Sequence, residues 1–144
     1  MNTILKLSHL AWLGSVGLIL GALFFQYGKG LDPCVLCMYQ RYPHFLAIIV
    51  GAFAIWREPR LYPLVGVIVL ASAAVAMFHV GVEQHWWAGL STCSGDAEGS
   101  VADLLGKKAA RCDEIAWSLF GISMAGWNGI FSVVLAGLWF KARD

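Results

Sequence analysis

The chain has 144 residues and a mass of 15.7 kDa; 59% of the residues are apolar, 13% are charged, and the mean hydropathy is +0.69. Soluble domains carry about 25% charged residues, so a soluble chain of this length could not cover itself, and disorder is excluded by the same figures. Ten basic against nine acidic residues leave a net charge of +1, which excludes a nucleic-acid binder and leaves an integral membrane protein.

A membrane-spanning helix needs about 20 mainly apolar residues, and four stretches qualify. The first, about 7–27, holds no charge. Lys6 ahead of it raises the alternative of a signal peptide, but the run is long for one and Leu23-Phe24-Phe25-Gln26 is a poor cleavage site. Gly14, Gly17 and Gly21 form a stripe of small residues on it, read as a tight helix contact without chemistry. The second stretch, about 33–56, has Arg41 as its only charge before Arg57. Asp32 is expected to cap it and Pro33 to take its first position, while Pro43 removes the bond to the Tyr39 carbonyl and predicts a bend. The third, about 62–82, offers Ala71, Ser72, Ala73, Ala74 and Ala76 for packing. The fourth, about 123–140, follows a loop of about 83–122 in which Ser100 and Asp103 begin, and Gly106 ends, a short amphipathic surface helix. Trp86, Trp87, Trp117 and Trp127 suit the interfacial belts. The expected fold is an all-α, polytopic four-helix bundle, 1–144, with both termini on one side.

With the termini inside, Lys6, Arg57, Arg60, Lys141 and Arg143 face the cytoplasm, against Lys29, Arg41, Lys107, Lys108 and Arg111 outside. The inside set is denser, sitting in three short segments, which favours that orientation. All four cysteines then fall on the outer face, where disulfides persist. Three pairings are open; the closeness of Cys34 and Cys37 favours 34–37 with 93–112.

Cys34 comes near a helix N-terminus, where unpaired N–H groups and the helix dipole favour a thiolate. At 3.6 residues per turn, Cys34, Cys37 and Arg41 lie within about 60° of one another, His44 is close to the same stripe, and Gln40 points away from it. A fixed cation aligned with two thiols can stabilise a thiolate or a developing anion on a bound molecule. Arg41 alone would suit an interfacial anchor equally well, and a lone C-x-x-C could be half a zinc site. The eighteen residues between Cys93 and Cys112 do not fit a four-thiolate zinc cluster, so no metal is expected. The segment Ser91-Thr92-Cys93-Ser94-Gly95-Asp96 is small and polar, which predicts an accessible Cys93.

The run Pro33-Cys34-Val35-Leu36-Cys37-Met38-Tyr39-Gln40-Arg41 resembles the signature of the DsbB family, the bacterial inner-membrane quinone reductases that form disulfides. Cys93, Cys112 and Trp117-Ser118-Leu119-Phe120-Gly121-Ile122-Ser123-Met124 resemble that family's second cysteine pair and its entry to the fourth helix. The resemblance implies a multi-pass inner-membrane protein with periplasmic cysteines, a bound ubiquinone or menaquinone, and a soluble thioredoxin-like DsbA partner. Carried onto this chain, Cys93 would receive the partner's thiolate, Cys112 would exchange with Cys34, and Cys37 would pass electrons to the quinone beside Arg41. Besides Arg41, the polar candidates at the quinone are His44, His79, Gln84 and His85; His9, at the other end, has no role. A membrane scaffold with structural disulfides, and a relative of vitamin K epoxide reductase-type proteins, are the competing readings.

Overall fold

The computed structural model describes residues 3–93 and 110–143. Helix α1 spans Thr3–Leu23 and runs into a π-helical turn, Phe24–Gly28; α2 spans Val35–Trp56, α3 Tyr62–Glu83 and α4 Met124–Lys141. Lengths of 18 to 22 residues at 1.5 Å per residue are the scale of a bilayer core. Two of the helical stretches, Lys6–Gly28 and Pro59–Glu83, are apolar enough along their length to cross a membrane. The other two helices are interrupted by Gln40, Arg41 and His44 in α2 and by Asn128 and Ser132 in α4.

The helices run alternately up and down. At one end the start of α2 meets the end of α3, and Arg41 reaches the end of α1. At the other, Trp12 Nε1 donates to the Ile48 carbonyl at 2.9 Å and the Tyr62 and Trp139 rings meet at a tilt with centroids 5.4 Å apart. The core of that second end is Ala11, Ala47, Ala54, Val65, Val69, Leu135 and Trp139. Ser15, Gln40, His44, Ser72, His79 and Ser132 are buried, whereas Leu13, Leu20, Ile49, Phe53, Met77 and Val133 are exposed. Polar inside and apolar outside is the arrangement that lipid, not water, stabilises. Trp12 and Ser15 of α1 and Gln26 of the π-helical turn are bonded to α2, so the first apolar stretch is an integral helix of this bundle.

Several local expectations are corrected. The second helix begins two residues later than its sequence suggests: Cys34, not Asp32, is its N-cap, and its Sγ accepts the Cys37 N–H at 3.3 Å. Of the glycine stripe, only Gly14 makes a tight contact, with Leu135; a Cβ on Gly17 or Gly21 would meet nothing within 4 Å. The fold is not purely helical, because Ser118–Leu119 (β1) pairs antiparallel with Ile122–Ser123 (β2). Phe120 and Gly121 between them have φ of 53° and 75°, the left-handed pair that closes a two-residue hairpin with the twist of its strands. Trp127 Nε1 donates to the Leu119 carbonyl at 3.1 Å and ties this hairpin to α4. The amphipathic helix expected at about 100–106 lies outside the described residues.

Candidate active site

The four cysteines expected on one face are in one cluster. Cys93 and Cys112 are joined by a disulfide, with Cα atoms 5.1 Å apart. They pack with Cys34, Leu36 and Val82, and Cys37 lies against the group. Cys34 and Cys37 are thiols whose Sγ atoms are 2.9 Å apart. The pairing 93–112 and the proximity of 34 to 37 follow the sequence expectation; the accessibility of Cys93 does not. Cys93 is 3% exposed, because its flanking polar residues do not prevent the disulfide itself from seating against Leu36 and Val82.

Two cavities meet at this cluster. The first, about 410 Å³, lies between α1, α2 and α4 under the hairpin, and Gly17, Gly21, Cys37, Arg41, His44 and Phe131 are among its walls. The second, about 300 Å³, is bounded by Cys34, Cys37, His79, Glu83, Arg111 and Glu114. Cys37 belongs to both. The first has the size and apolar lining of an organic-ligand pocket, and the bare backbone of Gly17 and Gly21 makes the room for it.

Arg41 is held at the edge of this cleft. Its Nη1 donates to Gln26 Oε1 at 2.6 Å and its Nη2 to the Ala22 carbonyl at 3.4 Å, and it lines the cleft together with Cys37. His44 is fixed between Ser15 Oγ at 3.3 Å and Ser132 Oγ at 3.0 Å. Both are where a cleft-bound molecule would meet a polar group. His79 is not on this cleft: its Nε2 is 3.7 Å from Cys34 Sγ and 3.8 Å from Glu83 Oε1, on the thiol side. His85, exposed in a left-handed turn after α3, lines neither cavity, and Gln84 is exposed beside it.

Gln40 reverses its sequence reading. It points into the bundle, 6% exposed, and its Nε2 is 2.8 Å from His79 Nδ1 while its Oε1 accepts from Asn128 Nδ2 at 2.8 Å. Arg41 leans towards α1 and Gln40 towards α3 and α4, so the stripe has two polar flanks, not one. Glu83, whose Oε2 accepts from Ser123 Oγ at 2.5 Å, and Gln26 are further polar members that sequence reasoning passed over. The signal was present, since a polar side chain inside an apolar span is costly and marks a site. On the loop side, Arg111 grips Asp113 through both carboxylate oxygens, at 3.0 and 2.8 Å, and holds that carboxyl below the usual aspartate range.

The family model described as disulfide bond formation protein DsbB matches residues 6–142. The disulfide bond formation protein B 1 of Burkholderia lata is 33% identical over 154 aligned positions, covering 93% of this chain and 88% of its own. The disulfide bond formation protein B of Shewanella frigidimarina is 31% identical over 140 positions, with 88% and 82% covered. That of Hahella chejuensis is 27% identical over 144 positions, with 90% and 87% covered. No solved structure matches the chain.

Proposed function

The chain belongs to the DsbB family of disulfide bond formation proteins, and from that membership we propose that it reoxidises a DsbA-type periplasmic dithiol protein and delivers the electrons to a membrane quinone. Membership makes it a membrane protein of disulfide formation, with a thiol–disulfide partner. The finer reading places it in the bacterial inner membrane, termini cytoplasmic and cysteines periplasmic. The observation that carries it is the position of Cys37, a wall both of the apolar cleft and of the thiol cavity.

In this mechanism the partner's thiolate attacks Cys93 Sγ; the bond to Cys112 breaks and its electron pair goes to Cys112. The partner's second thiol resolves the mixed disulfide and frees Cys93. Because Cys93 is buried, the loop that carries it must lift from Leu36 and Val82 for this attack. Cys112 then attacks Cys34 of an oxidised Cys34–Cys37 pair, and Cys37 takes the electron pair. Cys93 attacks Cys112, the loop disulfide is restored, and Cys34 leaves.

The two electrons now reside on Cys34 and Cys37. A quinone, ubiquinone or menaquinone, would supply a two-electron, two-proton acceptor strong enough to drain a partner as oxidising as DsbA, at about −120 mV. The residues fit such a molecule: an apolar slot lined by Leu18, Phe25 and Phe131, with Arg41, His44, Gln40 and Asn128 among its polar groups. Arg41 holds two of its five N–H groups on Gln26 and Ala22, which fixes the cation beside Cys37, and the apolar walls keep its field strong.

The test is a set of cysteine replacements in the detergent-purified protein. With Cys112→Ser, a reduced DsbA-type partner is expected to persist as a Cys93-linked complex on a non-reducing gel. Cys37→Ser is expected to stop quinone reduction and still allow partner capture. If partner trapping runs through Cys34 or Cys37 and Cys93 is dispensable, the division of labour is wrong. If all four replacements only lower stability and none traps a partner, the disulfides are structural.

A further inference from the structure

The buried polar groups beside Cys34 form one hydrogen-bond chain, and main-chain carbonyls fix its direction at both ends. Ser72 Oγ lies 2.8 Å from the Gln40 carbonyl oxygen. A carbonyl only accepts, so the Ser72 hydroxyl proton is committed there and its oxygen must receive the next group in turn. That group is Asn128 Nδ2, at 3.1 Å, whose second hydrogen goes to Gln40 Oε1 at 2.8 Å. The Gln40 amide nitrogen is thereby turned the other way, towards the Leu36 carbonyl at 3.3 Å and His79 Nδ1 at 2.8 Å. The Leu36 carbonyl is again an obligate acceptor, so both ends demand the same orientation of the Gln40 amide. His79 Nδ1 receives an N–H and is therefore bare; the neutral ring carries its proton on Nε2. Nε2 is the atom that faces Cys34 Sγ, at 3.7 Å.

We propose that His79, locked by Gln40 with its proton on Nε2, is a catalytic hydrogen-bond donor to the Cys34 sulfur. This deepens the function proposed above and rests on it. The step it serves is the return of the loop disulfide. Cys93 thiolate attacks Cys112 of a Cys34–Cys112 bridge; the 93–112 bond forms, the 34–112 bond breaks, and the electron pair goes to Cys34 Sγ. One disulfide replaces another, so no oxidant is consumed. The leaving sulfur is met by two N–H groups, Cys37 N–H at 3.3 Å and His79 Nε2–H, and donors aimed at the atom where charge develops lower the barrier to its departure. Gln40, Asn128 and Ser72 are positioning residues that set the tautomer.

The same atoms suggest a competing use. Cys34 Sγ, Cys37 Sγ and His79 Nε2 lie within 4.8 Å of one another, close enough to hold a metal ion such as zinc. A ligating Nε2 needs its lone pair, and the Gln40 bond denies it.

The experiment uses the full chain in detergent with ring-15N-labelled histidine. The His79 signals are expected to show a neutral ring protonated on Nε2, unmoved by added Zn²⁺. A proton on Nδ1, or coordination of Zn²⁺ by Nε2, would overturn the proposal. In turnover with a reduced DsbA-type partner, His79→Ala is expected to accumulate the 34–112 bridge, read by peptide mass spectrometry. Return of the 93–112 disulfide should slow about tenfold, the scale of one hydrogen bond to a charged group. Asn128→Leu keeps the histidine and frees the Gln40 amide, so it is expected to mix the two tautomers and slow the same step; it also serves if His79→Ala fails to fold. Unchanged return rates in both variants, while the parent protein turns over, would remove the role from His79. A parent protein that passes no electrons to quinone would remove the proposed function instead.

Discussion

The two cavities that share Cys37 differ in the walls they do not have in common. The larger is walled by leucine, phenylalanine and bare glycine backbone, with Arg41 and His44 as polar groups among them. The smaller is bounded by two thiols, His79, Glu83, Arg111 and Glu114. A sulfur between them has an apolar, low-dielectric side, where a charge is felt strongly, and a polar side, where protons and leaving sulfurs find partners. In the proposed cycle the first side takes electrons away and the second exchanges disulfides. Perturbing a residue that lines one side alone should therefore leave the chemistry of the other intact.

The largest effect that separates the sides is expected from Arg41→Ala. It removes the one cation among the cleft's described lining residues, and about ten- to hundredfold weaker apparent quinone affinity should follow, the scale of a charged hydrogen bond. Partner capture by Cys93 should persist. Lysine should restore part of the loss, since it supplies charge without the planar fork that meets Gln26 and Ala22 together. Quinone kinetics with unchanged affinity in both variants would reduce Arg41 to an anchor between α1 and α2.

A smaller and more selective effect is expected within α1, where three glycines on one stripe have two different roles. A Cβ on Gly14 would clash with the Leu135 side chain, whereas one on Gly21 would meet nothing within 4 Å. Gly21→Leu should therefore fold normally, with a slight gain from better helix propensity, and raise the apparent quinone KM about tenfold by filling the cleft, the worth of one or two displaced apolar contacts. Gly14→Ala should do the reverse: a lower melting temperature from overpacking, with the quinone KM unmoved. Equal effects of the two substitutions on KM would mean that the cleft is not where the quinone binds.

These glycines also show what a sequence can and cannot convey. Small residues at helical spacing signal that something comes close, but whether it is Leu135 or an open cleft depends on a helix more than a hundred residues away. The four helices and the cysteine cluster were legible because apolar run length and thiol chemistry are local properties. Gln40 was not, since a single helix wheel fixes angles between neighbours and not which neighbour helix each angle meets. Arg41 finds Gln26 in the turn after α1 and Gln40 finds His79 on α3 only once the bundle has assembled. The same holds for His79, which faces Cys34 and not the cleft, and for Cys93, whose polar neighbours predicted exposure while its disulfide packs against Leu36 and Val82. The capping of α2 went to Cys34 and not to Asp32, which leaves the reactive sulfur bonded to its own helix end.

The smallest effect concerns the polar side, where Cys112 is fully buried next to the Arg111–Asp113 pair. Arg111 hydrogen bonds hold the Asp113 carboxyl below its ordinary value of 3.8. A depressed carboxylate contributes to the folded loop above the unfolded value and loses that contribution only as the pH falls through the lower, folded one. From neutral pH down to the ordinary aspartate range, the pair should therefore stay closed, and the rate of partner capture by Cys93 should show no step that Asp113 causes. Asp113→Asn should change that rate at neutral pH by no more than about twofold, because exposed ion pairs contribute little and Glu114 Oε1, 3.5 Å from Arg111 Nε, remains to hold the guanidinium. A tenfold faster capture in Asp113→Asn, measured on non-reducing gels against time, would instead make this pair the latch that keeps the loop disulfide buried against Cys34.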